Sequence, residues 1–256
     1  MNDDLRQLLD DVAAGRRPVD EALHALETLG ISAVGDYARL DIGRAARKGV
    51  PEIVFAAGKT SDQLAAIVAR FLERSNAVVG SRVSAEQAEA VRMAVNGVVE
   101  YDARARMLVV HGLAYESPPK RGAVGILAGG TSDVAVAEEA AIVCREMGVA
   151  VSTAYDVGVA GVHRLGGPLA GMIEDGVGAL VVAAGMEGAL PSVVGGLVDV
   201  PVIGLPVSTG YGFGGNGEAA LMGMLQSCSP GLAVVNIDNG VGAGVTAALI
   251  ARRGAT

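Results

Sequence analysis

Tryptophan is absent from the 256 residues, and only 3% of them are aromatic. An aromatic platform on which nucleic-acid bases could stack is therefore not expected. Basic residues are also scarce, since 20 Lys and Arg stand against 28 Asp and Glu, for a net charge of -8 and a pI near 4.9. Nucleic-acid phosphates and anionic lipids both require a basic face, so neither kind of partner is predicted.

Long apolar runs without interruption are missing as well. The nearest approach to a membrane span is residues 176–198, which contain Glu187, Pro191 and six glycines and have no basic anchors at their ends. This composition suits a buried strand, a loop and a packed helix better than a bilayer helix. The first 26 residues carry early acids and no apolar core, so no secretory signal is predicted. We expect a cytoplasmic protein without a membrane segment.

Cysteine occurs only twice, at Cys144 and Cys228, without a CxxC pair or Cys/His zinc spacing. Neither a disulfide framework nor a structural zinc site is expected, which is consistent with a reducing compartment. Cys144 falls inside a predicted helix among apolar residues and is expected to be buried. Cys228 follows a helix on the turn "SCSPG", where a partly exposed thiol can be activated as a nucleophile.

The chain is long enough for two domains, and its pattern changes near the middle. Residues 1–29 predict two short helices, and residues 36–110 alternate strands with amphipathic helices, as in a small α/β domain. The proline-rich stretch "ESPPKRG" at 116–122 is a candidate linker. We therefore predict an N-terminal helical arm plus small α/β domain at 1–118 and a catalytic α/β domain at 119–256.

The second half repeats a strand, a glycine-rich turn and a helix. Its strands are apolar almost throughout, which predicts a mainly parallel sheet covered by helices on both faces. Ligands of such doubly wound sheets bind beyond the carboxyl ends of the strands. The turns at those ends are therefore the places in which to look for chemistry.

Two of these turns carry candidate binding groups. "GGTSD" joins a strand to a helix, so its backbone N–H groups could bind a phosphate or carboxylate while Thr131 or Ser132 caps the helix; a plain capped turn explains the same letters. His163 and Arg164 follow the next strand, where they could pair with an anion and carry a proton. A structural histidine is the alternative.

Glu187 is the only charged residue in a run of more than twenty. Burial of a carboxylate favours its neutral form, which suits a general acid or base, whereas an exposed loop glutamate is the competing interpretation. A glycine-rich loop at 208–221 could cover a ligand. The cluster "NIDNGVGAG" supplies Asn236, Asp238 and Asn239 as possible contacts, or it forms only a tight turn.

Taken together, "GGTSD", "VHR" and the stretch from Ala183 to Val207 resemble the aminoimidazole ribonucleotide carboxylase/mutase family of purine biosynthesis. That family has no counterpart to residues 1–118. The whole chain, including "GVPEIVFAAGKT" and "SCSPGLAVVNIDNGVGAG", resembles more closely the LarB-type pyridinium-3,5-biscarboxylic acid mononucleotide synthases, which begin synthesis of the nickel-pincer nucleotide cofactor of lactate racemase.

This second resemblance implies a substrate and a set of roles. The substrate is nicotinic acid adenine dinucleotide, whose ring is carboxylated with CO2 as co-substrate and whose phosphoanhydride is hydrolysed to release AMP. The resemblance assigns the nucleophile to Cys228 and acid/base chemistry to Glu187, with His163 as a further catalytic residue. The implied substrate contacts are Gly129, Gly130, Thr131, Ser132, Asp133, Arg164, Asn236, Asp238 and Asn239.

Hydrolysis of the anhydride needs charge neutralisation, which a divalent metal could supply; Asp133 and Asp238 are its candidate ligands, and Mg²⁺ is favoured although no ligand cluster selects it over manganese or calcium. The resemblance also implies a homo-oligomer, with an octamer favoured. Two other functions stay open at this point. The protein could be a purine-type aminoimidazole ribonucleotide carboxylase/mutase, for which His163 would be essential and Cys228 dispensable. It could also be a non-catalytic nucleotide-binding module, which would bind without turnover.

Overall fold

The computed structural model describes residues 2–28, 31–35, 37–41, 43–73 and 75–255. The chain forms two compact units. The first comprises Met1–Gly80, Glu86–Glu100 and Val109–Tyr115, and the second comprises Ser81–Ala85, Tyr101–Leu108 and Glu116–Thr256. Two segments from the first half of the sequence thus group with the second unit. The predicted boundary between residues 118 and 119 stays a prediction.

The first unit begins with the two helices that the sequence predicts. Helices α1 (Asn2–Ala13) and α2 (Val19–Thr28) are separated at Gly15, whose φ of 69° lies in the left-handed region that suits glycine. Strands β1 (Ile31–Val34) and β2 (Ala38–Asp41) then pair antiparallel, and the short helix α3 (Arg44–Lys48) follows.

Most of a four-stranded sheet lies in this unit as well. Its strands are β3 (Ile53–Phe55), β4 (Ala77–Ser81), β5 (Gly97–Asp102) and β6 (Met107–Gly112), in the order β3-β4-β6-β5, and helices α4 (Ser61–Leu72) and α5 (Ala85–Ala94) follow β3 and β4 in sequence. Helix α4 starts with a capping box, in which Thr60 accepts from the Gln63 N–H and Gln63 accepts from the Thr60 N–H. Its apolar face buries Leu64, Val68 and Phe71.

The second unit contains the sheet on which the candidate site is built. Its elements are β7 (Ala123–Ala128), α6 (Val134–Glu146), β8 (Ala150–Ala154), α7 (Gly166–Glu174), β9 (Ala179–Ala184), α8 (Leu190–Gly195), β10 (Val202–Pro206), α9 (Glu218–Leu225), β11 (Leu232–Val234) and α10 (Gly240–Gly254). The strand order is β11-β10-β9-β7-β8, and all four neighbouring pairs are parallel. The predicted doubly wound α/β fold is confirmed.

Helices cover both faces of this sheet, which explains why its central strands are apolar throughout. Every residue of β9 is buried. On one face, residues of α7, α8 and α9 join a core with Leu127, Leu180 and Val182. On the other face, α6 and α10 pack closely, since a Cβ on Gly244 would lie 2.6 Å from the Ala140 carbonyl oxygen. Glycine is needed there for helix packing.

The strand order also locates the binding crevice. Counted from β7, the order is 2-1-3-4-5, and the chain winds in opposite directions on the two sides of the boundary between β7 and β9. Ligands of such sheets bind beyond the carboxyl ends of the strands at this boundary. The turns after β7 and β9 emerge there. Among the described residues, no helix has the length and apolar character needed to cross a membrane.

Candidate active site

A cavity of about 490 Å³ opens at this crevice. Its size lies within the range of pockets that hold drug-sized ligands. The residues that line it come from the segments that follow β7, β8, β9 and β10: Gly129, Gly130, Ser132, Asp133, Asp156, Gly158, Val159, Ala160, Arg164, Ala184, Gly185, Met186, Glu187, Ala189, Leu190, Thr209, Gly210 and Tyr211.

Asp133 organises the turn after β7. Its side chain is 5% exposed, and its Oδ2 accepts from the Gly130 N–H at 2.8 Å. A second backbone bond comes from Gly185, in the turn after β9. Burial raises the pKa of Asp133, and the two N–H donors oppose that rise. The carboxylate thus holds the floor of the cavity by joining two turns.

Fewer backbone N–H groups of "GGTSD" are available to a phosphate than the sequence predicts. The N–H groups of Gly129, Gly130 and Asp133 already bond to the Ala183 carbonyl, the Asp133 side chain and the Gly130 carbonyl. Within the described residues, this leaves the N–H groups of Thr131 and Ser132. The prediction that Thr131 or Ser132 caps α6 is wrong, because Asp133 occupies that position and makes no side-chain cap bond.

Arg164 lines the cavity and His163 does not, although they are adjacent in sequence. Both end a 3-10 segment, Val159–Arg164, whose three residues per turn send consecutive side chains in different directions. The Arg164 Nη1 forms an ion pair with Asp156, which also lines the cavity. His163 is exposed beside this wall.

Glu187 lines the cavity on the turn between β9 and α8. The expectation of burial is wrong, since both Met186 and Glu187 are exposed. The run around Glu187 is apolar because it contains the end of β9 and the start of α8, whereas the tip of the turn meets solvent. Met186 has a φ of 53°, and a Cβ on Gly223 of α9 would lie 2.3 Å from the Glu187 carbonyl oxygen. Helix α9 therefore supports this turn from below.

The glycine-rich loop after β10 forms a further wall. Tyr211 lines the cavity, and Tyr211 and Phe213 are both exposed large side chains. A second, smaller cavity of about 180 Å³ lies between Glu187 and this loop. The sequence points to the loop through its glycines but gives no reason to single out its aromatic rings.

Cys228 is exposed and does not line either of the two cavities. Its turn is tied to α8, because the Ser229 hydroxyl donates to the Ser192 carbonyl at 2.7 Å and the Ser192 hydroxyl donates to Ser227 at 2.8 Å. Exposed Leu197, Met222 and Leu225 lie on α9 and after α8, the two helices that adjoin this turn. A single chain thus presents the thiol outside the cavity that contains Glu187.

Asn236, Asp238 and Asn239 lie between β11 and α10 and do not line the cavity. Asn239 caps α10 by accepting from the Gly242 N–H at 2.8 Å, and Asp238 accepts from the Ser208 N–H at 2.8 Å. Asn236 accepts from the N–H of Ile237. These bonds satisfy the turn, and the roles of the three residues in substrate binding stay predictions.

The two carboxylates assigned to Mg²⁺ do not form a ligand cluster in a single chain. Asp133 and Asp238 each accept backbone N–H bonds in different turns. Among the described residues, no group of three or more His, Cys, Asp and Glu side chains could hold a metal ion. The described residues of a single chain thus do not fit a resident Mg²⁺.

An arginine cluster near this site escapes the sequence analysis. Arg82 pairs with Glu139 at 3.4 Å and donates to the Asp238 carbonyl at 2.6 Å. Burial raises the pKa of Glu139 to about 7, against the opposing effect of Arg82. Arg104 donates to the Thr131 carbonyl at 3.0 Å, and Arg106 donates to the Arg82 carbonyl at 3.3 Å. No motif marks these residues, because their contacts arise only in the fold.

Comparison with known proteins places both halves of the chain. Residues 31–112 match the family described as the LarB/PurE-like N-terminal domain, and residues 123–255 match AIR carboxylase. The second match covers more than half of the chain. It contains all of the strands that surround the cavity.

Individual relatives agree with this assignment. The chain is 42% identical to an uncharacterized protein of Methanocaldococcus jannaschii over 256 residues, which is 98% of each chain. It is 32% identical to the N5-carboxyaminoimidazole ribonucleotide mutase of Thermotoga maritima over 134 residues, 50% of this chain and 73% of that protein. The M. jannaschii mutase is 33% identical over 48% of this chain and 74% of its own length. The chain therefore belongs to the AIR carboxylase family, with the LarB-type architecture in which a LarB/PurE-like N-terminal domain precedes the carboxylase domain.

Proposed function

We propose that the protein carboxylates the pyridinium ring of nicotinic acid adenine dinucleotide and hydrolyses its phosphoanhydride. The products are AMP and pyridinium-3,5-biscarboxylic acid mononucleotide, the first intermediate of nickel-pincer nucleotide synthesis. The supporting observation is a carboxylase-type cavity lined by Glu187, in a chain that also carries an exposed Cys228 and a LarB/PurE-like N-terminal domain. We expect this chemistry in the cytoplasm, where thiols stay reduced.

The ring chemistry requires a thiol. A pyridinium ring is electron-poor and does not attack CO2. When the Cys228 thiolate adds to the ring carbon opposite the nitrogen, a C–S bond forms and the ring becomes a neutral dihydropyridine. Its carbon next to the thiolated position then acts as an enamine carbon and forms a C–C bond to CO2. Nucleophilic catalysis here divides one difficult step into easier ones.

The remaining steps require a base and a leaving group. Glu187 accepts the proton from the newly carboxylated carbon, which restores the enamine. The nitrogen lone pair then expels the Cys228 thiolate, so that the C–S bond breaks and the ring is aromatic again. Sulfur suits both roles, because a thiolate is a soft nucleophile and a better leaving group than a serine alkoxide.

Hydrolysis of the phosphoanhydride requires donors for the phosphate oxygens while water adds to phosphorus and AMP departs. Arg164 and Ser132 line the cavity and Thr131 does not, so the Arg164 guanidinium and the Ser132 N–H are the donors that we assign to this step. Arg164 is also paired with Asp156, so part of its charge is already neutralised.

We further propose that the active form is a homo-oligomer, an octamer by analogy with the purine enzymes, and that the Cys228 thiol of one copy reaches the cavity of another. The support is that Cys228 is exposed outside the cavity and that large apolar side chains are exposed on the adjoining helices. Exposed apolar groups of this kind are typical of contact surfaces.

The direct test is turnover. We expect incubation with nicotinic acid adenine dinucleotide and bicarbonate to release AMP and a doubly carboxylated pyridinium mononucleotide, both detected by liquid chromatography and mass spectrometry. Mass spectrometry of quenched wild-type reactions should show the substrate's ring attached to Cys228. No doubly carboxylated pyridinium nucleotide above the level of a Cys228→Ala control would count decisively against the proposal.

Shared sites predict complementation between inactive variants. Cys228→Ser and Glu187→Gln should each be inactive alone. Oligomers that contain both should regain activity, because some cavities then combine an intact thiol with an intact carboxylate. If coexpressed mixtures stay inactive while each variant forms normal oligomers, the thiol acts within its own chain.

A second candidate function has its own observation. The two relatives named N5-carboxyaminoimidazole ribonucleotide mutase match the carboxylase half at 32% and 33% identity. Such an activity would convert an aminoimidazole ribonucleotide, would require His163 and would survive Cys228→Ala. An assay with that substrate therefore separates the two functions.

A further inference from the structure

Three arginines form a basic cluster in the second unit of this acidic protein. Arg82, Arg104 and Arg106 come from the two segments of the first half of the sequence that group with the second unit. The Arg104 contact with the Thr131 carbonyl places its guanidinium beside the turn that contributes Gly130 and Ser132 to the cavity wall. Arg104 therefore lies beside the turn after β7, and Arg106 follows it two residues later in the same segment.

Two of these arginines are not closely paired with a carboxylate, although the charge of Arg106 also acts on Glu139. Arg82 pairs with the buried Glu139. In the described part of the chain, neither Arg104 nor Arg106 forms an ion pair with a carboxylate, and each donates to one backbone carbonyl only. A guanidinium has five N–H donors in a planar fork, so most of their donors are available to a ligand. Both side chains are exposed.

Backbone conformation sets the same region apart. Non-glycine residues rarely adopt a positive φ, and those that do are concentrated at functional sites. In the described residues, Asp156 and Met186 of the cavity wall are two of six such residues, and Arg82, Arg106 and Asp238 are three more. Arg82 and Arg106, but not Arg104, therefore share this backbone conformation with two residues of the cavity wall.

The geometry points to Arg104 and Arg106 as the subsite for the adenylate phosphate of the dinucleotide substrate, an inference that rests on the proposed function. In the proposed reaction the nicotinate half must reach Glu187 inside the cavity, and we assign its own phosphate to Ser132 and Arg164, which line the same cavity. A dinucleotide extends one further nucleotide beyond that point. Arginine forks match phosphate oxygens in a bidentate manner, and Arg104 and Arg106 offer that charge where the substrate leaves the cavity.

This assignment gives the arginines a role in selecting a dinucleotide over a mononucleotide. The expected signature is a loss of affinity that depends on the adenylate half. We expect Arg104→Ala to weaken binding of nicotinic acid adenine dinucleotide and of AMP at least tenfold, and Arg104→Ala/Arg106→Ala to weaken it further, because charge-assisted hydrogen bonds are lost. Binding of nicotinic acid mononucleotide should stay within twofold of wild type.

Calorimetry with these three ligands on the full-length protein tests the proposal. Arg92→Ala is the matched control, since Arg92 is an exposed arginine of α5 that pairs only with Glu89 nearby. If Arg104→Ala weakens the binding of mononucleotide and dinucleotide equally, Arg104 only holds the Thr131 turn. If Arg104→Ala leaves the dinucleotide affinity unchanged, Arg104 contacts no phosphate. Either result overturns the subsite. If wild type turns over the dinucleotide in either case, the proposed function survives. If wild type binds no dinucleotide, both are wrong.

Discussion

The second unit contains the same two reactive groups, a thiol and a carboxylate, in two regions with opposite surroundings. Between α6 and α10, Cys144 is 0% exposed and Glu139 is 2% exposed. Burial raises the pKa of Cys144 to about 12 and that of Glu139 to about 7. Cys228 and Glu187, by contrast, are both exposed: Glu187 lines the cavity and Cys228 lies outside it.

This difference separates a structural role from a chemical one. The Cys144 thiol donates to the Gly244 carbonyl at 3.3 Å, and Glu139 is paired with Arg82, so both groups stabilise the packing of α6 on α10. Both side chains are buried away from solvent. A shifted pKa often marks a functional site, but the shifts of Cys144 and Glu139 arise from burial at the helix interface. Access, and not burial, distinguishes the groups that we assign to catalysis.

The two cysteines provide the largest expected contrast. Cys228→Ala should lower the rate of formation of the doubly carboxylated product by on the order of a thousandfold or more, because the covalent step is lost. Cys144→Ala should leave that rate close to wild type and should lower the free energy of unfolding by about 1 kcal/mol through the small cavity that it creates. Steady-state assays and urea unfolding of both variants measure this contrast. A Cys228→Ala enzyme with wild-type turnover would remove the distinction between the two regions.

The two carboxylates provide the next contrast. Glu187→Gln should slow carboxylation by about a hundredfold or more, since a general base contributes roughly that much. The cysteinyl adduct should still form, because thiolate addition precedes proton removal. Quenched reactions examined by mass spectrometry should therefore show the adduct accumulate in Glu187→Gln. If the variant turns over normally, another group must remove the proton.

Substitution of two helical glycines tests whether helix α9 positions the Glu187 turn. In Gly223→Ala, the new methyl group would lie 2.3 Å from the Glu187 carbonyl oxygen, so the Glu187 turn must shift. We expect activity to fall about tenfold, since small displacements of a reacting group are costly. Gly171→Ala in α7 is the matched control, because nothing lies within 4 Å of its added Cβ. That variant should keep full activity and gain up to about 1 kcal/mol of stability from better helix propensity. Equal activity of the two variants would show that α9 does not position the turn.

The sequence predicts the elements of the second unit well, because its parallel strands are buried on both faces and appear as apolar runs. It misses β1, β5 and α3 in the first unit. Strand β5 alternates half-buried with exposed residues, and α3 has only five residues, so neither leaves a strong pattern. Two assignments from local sequence, the burial of Glu187 and the capping of α6, are wrong because the tip of a turn and the exact start of a helix depend on tertiary contacts.

The site was predictable only in part, for a related reason. Strand ends can be recognised from sequence, and six of the residues chosen there line the cavity: Gly129, Gly130, Ser132, Asp133, Arg164 and Glu187. The arginine cluster could not be found in this way, because Arg82 and Asp238 are 156 residues apart and meet only in the folded unit. Asp238 and Asn239 accept hydrogen bonds from the backbone N–H groups of Ser208 and Gly242, and these bonds also form only in the fold.

The smallest expected effect concerns stability and pH in the buried region. The pKa of Glu139 is about 7 in the folded protein and has an ordinary value of 4.5. Between these pH values the folded state holds a proton that the unfolded state has released, so this group's contribution to stability is complete below pH 4.5 and is lost as the pH rises through 7. Glu139→Gln cannot titrate. Its free energy of unfolding should therefore decline less steeply than that of wild type over this window, by at most about 1.4 kcal/mol per pH unit. Urea titrations at pH 5 and pH 7 measure the difference. An equal change in the free energy of unfolding for the two proteins between these pH values would mean that Glu139 is already ionised when the chain is folded.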